Sequence, residues 1–258
     1  MTLPPMWKVR RELHRAWIRS KVDLWLRFKN RTHVEFQGLQ VPINRSGMSK
    51  GVLIQLARND YEMPEIRGLQ LAIRPGDRVL ELGSGLGIIT TLAAKATGPS
   101  GLVLSFEANP EMIPDTRDFI AQVGVSNVEI RHAVLVSQDS EDTTRDFHLS
   151  SSFSSSSLLG STGHRSKGVI SVPTQRVNDL IADFRPDVLI CDIEGAEIEV
   201  IPALDARGIR AAVIELHPDR LSGDQIAEVH AAMARQGLDQ DPVSLGGTVV
   251  MYSRATTA

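Results

Sequence analysis

The stretch 79-VLELGSGLGIIT-90 decides the fold of this 258-residue chain. An apolar run leads straight into Gly83, Gly85 and Gly87, and an apolar helix start follows. Glycines at this spacing let the backbone turn tightly and let a ligand approach the main chain closely. Outward from this turn, short apolar runs alternate with helix-like stretches: RVLELG, LVLSFEA, VEIRHAVL, DVLICDI and RAAVIELH. That alternation predicts an α/β domain with a parallel sheet covered by helices on both faces. At the far end, 243-VSLGGTVVMYSR-254 reads as a turn and then a strand, expected to close the sheet antiparallel.

A glycine turn alone fits any nucleotide-like ligand. Glu81 narrows the choice. A dinucleotide would put its pyrophosphate at this turn, against the helix N-terminus, where a carboxylate two residues before the first glycine adds repulsion. S-adenosylmethionine carries an ammonium and a sulfonium and no phosphate, so an acid at this strand end is electrostatically welcome. The second strand ends in Glu107, 24 residues after Gly83, where a carboxylate can accept hydrogen bonds from two ribose hydroxyls.

These pieces resemble a class I S-adenosylmethionine-dependent methyltransferase, and more closely the FkbM family. The resemblance rests on YEMPE (61–65), IRPGDRVLELGSGLGIIT (73–90), GLVLSFEANP (101–110), HAVL (132–135), FSSSSL (153–158), VPTQRVNDL (172–180), DVLICDIEGAE (187–197) and IELHP (214–218). It covers roughly residues 50–252. It implies a Rossmann-like, doubly wound, mostly parallel seven-stranded sheet, with S-adenosyl-L-methionine as cofactor. Glu81, Gly83, Ser84, Gly85, Gly87, Glu107, Ala108, Ala133 and Asp192 are the expected cofactor contacts. The implied activity is O-methylation of a small-molecule hydroxyl, often on a sugar or secondary metabolite. Cys191 stands where family members commonly carry lysine.

The acceptor side is read from 188-VLICDIEGAEIEV-200. In a doubly wound sheet, ligands bind beyond the carboxyl ends of the strands, which puts Asp192 where acceptor chemistry is expected. Glu194 follows at the strand-to-helix turn, with Gly195 freeing the backbone. Glu197 has two readings, a pocket residue or a charge favourable to a helix N-terminus. His217 is the other candidate base, because an unperturbed imidazole titrates near neutrality. The catalytic set is therefore Asp192, Glu194 and His217. Glu215 has no assigned role. Strand alternation turns Cys191 away from Asp192, toward packing. The carboxylates permit Mg²⁺ without requiring it, no close histidine and cysteine pattern suggests zinc, and no metal is assigned.

Hydrophobic residues make up 42% of the chain and charged residues 23%, enough apolar material for a sizeable core. A net charge of -3 gives no global reason to expect nucleic acid. The single cysteine excludes an internal disulfide framework. No apolar run is long enough to span a bilayer and the start lacks secretory-signal features, so a soluble cytoplasmic protein is the expectation.

Residues 1–50 read as a basic, Trp-rich helical extension before a methyltransferase domain over 51–258. The helix itself is expected over 6–29, which holds all three tryptophans and eight of the 28 Lys and Arg residues. Packing within the protein, a homodimer contact and a peripheral membrane contact all suit it. An insertion over about 145–177 has ends that read as a β-hairpin and a serine-rich middle, with seven serines among residues 150–157. A loop and a wall over the acceptor both fit that middle. Two other functional readings stay open: a protein or nucleic acid acceptor, and a non-catalytic cofactor-binding module.

Overall fold

A computed structural model describes residues 31–150, 157–158 and 166–255. The expected helix over 6–29 and most of the serine-rich segment lie outside the described residues. The chain divides into two compact units, one up to Met63 and the other Pro64–Ala258.

In the first unit, β1 (His33–Phe36) and β2 (Leu39–Pro42) pair antiparallel, followed by α1 (Lys50–Ala57). The helical character expected across 1–50 therefore does not hold at 33–42. The reason is local: Val34, Phe36, Leu39 and Val41 alternate inward at period two, and Gln37-Gly38, both at positive φ, form a tight hairpin turn. Ser49 caps α1 by accepting from the Val52 amide at 3.2 Å.

All of α2 (Met63–Ala72) but its first residue belongs to the second unit, which then alternates β3 (Arg78–Leu82), α3 (Ile88–Thr97), β4 (Leu102–Glu107), α4 (Ile113–Val123) and β5 (Val128–His132). After an insertion come α5 (Val177–Phe184), β9 (Val188–Cys191), α6 (Glu197–Val200), β10 (Ala211–Glu215), α7 (Gly223–Arg235), β11 (Asp239–Gln240) and β12 (Val249–Ser253). The sheet order is β11-β12-β10-β9-β3-β4-β5, with β12 antiparallel to both neighbours. The seven-stranded, mostly parallel expectation is met. Chain progress reverses between β3 and β9, so the crevice for a ligand opens at the carboxyl ends of those two strands.

The central strands are buried almost throughout because helices cover both faces. Leu80, Leu82, Leu104, Phe106, Leu189, Cys191, Ala212 and Ile214 share one core with Val177, Leu180 and Phe184 of α5. Cys191 is packed there, as strand alternation predicts. Truncating a residue such as Leu80, which is fully buried, costs about 2 to 5 kcal/mol. On the other face α2 lies so close to β10 that a β-carbon on Gly68 would stand 2.6 Å from the Val213 side chain.

The third apolar run is not one strand. It breaks at Ala133 into β5 and β6 (Val134–Val136), and β6 joins a separate three-stranded sheet. There β8 (Ser166–Arg176) pairs parallel with β6 and antiparallel with β7 (Thr144–Ser150), the predicted hairpin ends. Val134, Phe147, Leu149 and Val172 give this sheet a small core of its own.

Candidate active site

The glycine turn after β3 is held from two sides. Glu107, at the end of β4, accepts through Oε2 from the Gly85 amide at 2.8 Å and the Ser84 hydroxyl at 3.3 Å, and through Oε1 from the Asn109 amide at 2.8 Å. With the Ala108 amide beside them, these donors engage the carboxylate's roughly four lone-pair sites inside the protein. Burial raises its pKa, against these hydrogen bonds. At Gly83, φ is 93°, and a β-carbon there would stand 2.0 Å from the carbonyl oxygen of Asp192. The turn and the end of β9 are therefore in backbone contact. Gly87, also left-handed, enters α3 against the Thr116 side chain. Ala108 follows β4 with its carbonyl 3.1 Å from His132 Nε2, and Ala133 sits between β5 and β6.

Glu81 lies beneath the turn, 1% exposed. Its Oε2 accepts from the Thr90 hydroxyl at 2.6 Å, and the Ser105 hydroxyl is a second hydrogen-bonding neighbour of the carboxylate. Burial raises its pKa to about 7. A buried carboxylate is costly, and a cation brought near it would offset that cost.

Beyond β9, the residues predicted for acceptor chemistry converge. His217 Nε2 lies 3.4 Å from Asp192 Oδ1 and 3.7 Å from Glu194 Oε2. Glu194 takes a left-handed φ of 57°, an arrangement that costs about 1 to 3 kcal/mol for a residue with a side chain. The Ser157 hydroxyl donates to its carbonyl at 2.9 Å, so the described end of the serine-rich segment reaches this turn. Burial raises the Glu194 carboxyl to about pKa 7, with His217 and Arg220 opposing.

Glu197 meets both of its readings, since it opens α6 and also stands behind His217. It is fully buried, and its Oε1 accepts from the Ile193 and Gly195 amides at 3.2 and 3.3 Å and faces His217 Nδ1 at 3.1 Å. Burial alone lowers the His217 pKa, but the Glu197 hydrogen bond and charge, with Asp192 and Glu194 beyond, carry it up to about 9. At neutral pH the ring therefore holds a proton, contrary to the expectation of an imidazole titrating near neutrality. Asp192 is pushed well above the usual carboxylate range by desolvation and by Glu215, Glu194 and Glu197, with His217 opposing. A third of its side chain stays exposed, so the crowding of like charge is the firmer cause.

Sequence reasoning missed three contributors. Arg220 is nearly buried and donates from Nη2 to Glu194 Oε2 at 3.0 Å; its place three residues after His217 was the available signal. Glu65, inside YEMPE, is buried on the sheet-facing side of α2, and burial together with the charge of Glu215 raises it to about pKa 8. Glu215, left without a role, accepts from the Thr248 hydroxyl at 2.9 Å. Nothing local in the sequence links α2 to the end of β10.

A sequence profile described as the methyltransferase FkbM domain matches residues 83–239. A 60-residue stretch is 45% identical to an arsenite methyltransferase of Halobacterium salinarum, covering 23% of this chain and 15% of that one. Another match of 60 residues is 40% identical to protein-L-isoaspartate O-methyltransferase 2 of Archaeoglobus fulgidus, covering 23% and 27%. The chain thus spans well under a third of the length of these curated relatives. Among solved structures, a SAM dependent methyltransferase from Aquifex aeolicus aligns with TM-score 0.44 at 14% identity, over 73% of this chain and 87% of that one. A precorrin-6y C5,15-methyltransferase from Geobacter metallireducens aligns with TM-score 0.46 at 13% identity, over 74% and 87%.

Proposed function

Since this chain belongs to the methyltransferase FkbM domain family, we propose that it is an S-adenosylmethionine-dependent O-methyltransferase acting on a hydroxyl of a small molecule. The observation that carries this reading is the backbone contact between Gly83 and Asp192, which sets a cofactor turn directly against a cluster of acceptor-side acids.

The residues fit the cofactor. The buried carboxylate of Glu81 behind the turn suits its ammonium group, and Glu107, whose hydrogen bonds hold the Gly85 turn, lies at the strand end where a ribose hydroxyl is expected. Ser84, Gly85, Gly87, Ala108 and Ala133 complete the expected wall along the strand ends. When bound, S-adenosylmethionine supplies a methyl carbon on a sulfonium, which departs with the bonding pair as a neutral thioether.

An acceptor hydroxyl is a poor nucleophile until a base takes its proton as the new carbon–oxygen bond forms. Asp192 is that base in this reading, because its neighbours raise its proton affinity and a third of its side chain remains reachable. His217, held by Glu197 and already protonated, orients Asp192 and Glu194. Glu194 forms the far wall with Arg220. A polyhydroxylated acceptor, such as a sugar, suits a pocket so rich in hydrogen-bond acceptors.

Titration calorimetry with S-adenosylmethionine and its demethylated product tests the cofactor assignment; absence of heat, with NADH binding instead, sinks it. Asp192→Asn is expected to lower methyl transfer by about 10²- to 10⁴-fold while sparing cofactor affinity. Mass spectrometry of metabolites from cells with and without the protein identifies the acceptor. Among the described residues no helix is long and apolar enough to cross a membrane.

A further inference from the structure

We propose that Asp192, Glu194 and His217 form a binding site for one divalent transition-metal ion, which holds the acceptor oxygen. The inference deepens the acceptor-side reading above and rests on it for the ion's task.

One ligand atom from each of the three side chains lies within 4.8 Å of the others. The distances of 3.4 and 3.7 Å from His217 Nε2 to Asp192 Oδ1 and Glu194 Oε2 are long for hydrogen bonds. Two donors bonded to a common ion at about 2.1 Å each stand roughly 3 to 3.5 Å apart, close to the first of these separations. Asp192 Oδ1 is, moreover, a buried atom with no hydrogen-bond partner among the described residues. An ion would satisfy it.

Each ligand is oriented by something behind it. His217 Nδ1 is fixed by the fully buried Glu197, which aims Nε2 at the two acids. Glu194 is fixed by Arg220 at 3.0 Å. Asp192 is anchored through its amide, which donates to the Leu82 carbonyl at 3.0 Å, and by its carbonyl's contact with Gly83. A histidine whose other ring nitrogen faces a carboxylate is the usual support of a metal-bound imidazole.

Charge and ligand type point the same way. Five carboxyl groups, Glu65, Asp192, Glu194, Glu197 and Glu215, gather around two cationic side chains, His217 and Arg220. One nitrogen and two carboxylate donors suit Mn²⁺, Fe²⁺, Co²⁺ or Zn²⁺ better than Ca²⁺. On binding, the ion displaces the ring proton of His217 to solvent. Three protein ligands leave positions open for the acceptor hydroxyl and an adjacent oxygen, which selects a vicinal diol or a 2-hydroxy acid. The hydroxyl held there would lose its proton more readily; with Oδ1 of Asp192 on the ion, its Oδ2 would take that proton, and the methyl group would pass to the oxygen as the sulfonium leaves as a neutral thioether.

The test uses tag-free full-length protein and Mn²⁺ alone, without cofactor or acceptor. The electron paramagnetic resonance signal of free Mn²⁺ is expected to fall until one equivalent has bound, and the pulsed spectrum of bound Mn²⁺ to show coupling to one imidazole nitrogen. Asp192→Asn and His217→Ala are expected to weaken binding by tenfold or more, and Glu197→Gln by about 10- to 100-fold. An undiminished Mn²⁺ signal, binding without nitrogen coupling, or equal affinity in variants with unchanged circular dichroism overturns the site. The nitrogen coupling is read on the unaltered protein, so an unfolded variant cannot obscure the result. Protein that binds S-adenosylmethionine but no Mn²⁺ loses this inference and keeps the proposed function; the converse result separates them the other way.

Discussion

His217 Nδ1 lies 3.1 Å from Oε1 of Glu197, a carboxylate that also accepts from the amides of Ile193 and Gly195. One buried side chain thus sets both the shape of the turn after β9 and the direction of an imidazole 20 residues away. Glu197→Gln keeps an acceptor oxygen and removes the charge. Turnover is expected to fall tenfold or more, with cofactor affinity unchanged. Glu197→Ala also strands the two turn amides and is expected to cost about 1 to 3 kcal/mol, read from chemical denaturation.

Glu107→Ala removes the acceptor for the Gly85 and Asn109 amides as well as the proposed ribose contact. Cofactor affinity is expected to drop by about 100-fold and stability by about 1 to 3 kcal/mol. Calorimetry and a denaturation curve on the same preparation separate the two. Intact affinity would remove Glu107 from the cofactor site.

Glu81 opposes stability at high pH. Its pKa rises from 4.5 to about 7 on folding, so the unfolded chain loses the proton first as pH increases. No cost exists below about pH 4.5; it grows from there to pH 7 and is complete above, on the order of 3 kcal/mol. Glu81→Gln is therefore expected to be more stable than the parent at pH 8, equally stable at pH 4, and weaker in cofactor binding. In the parent, cofactor affinity is expected to increase between pH 6 and pH 8 as the carboxylate forms; in Glu81→Gln that dependence flattens.

Gly83→Ala places a methyl group against the Asp192 carbonyl at a backbone angle of 93°. Relief requires β3 and β9 to part at their carboxyl ends. The substitution is expected to cost about 3 kcal/mol or more, seen as a large fall in thermal midpoint. A change within about 0.5 kcal/mol would contradict the close approach of the two turns.

The sequence by itself determined the sheet and the cofactor turn, because both depend on short-range patterns. Apolar runs at strand length, three glycines and an acid at two strand ends are visible without knowing what lies next to what. The hairpin over 33–42 was equally local, in its period-two alternation and Gln37-Gly38, but lay inside a segment read as helical. Tertiary structure alone decided the break at Ala133, since Val134–Val136 pair with β8 some 40 residues on rather than continuing beside β4. It also decided the acid cluster. Asp192 and Glu194 are neighbours in sequence, but His217, Arg220, Glu215 and Glu65 arrive from β10, the turn after it and a helix more than 120 residues earlier. Their proximity, and hence the direction of each titration, comes from parallel strands ending at one edge of the sheet. Coulomb interactions follow distance through space, which residue order does not encode.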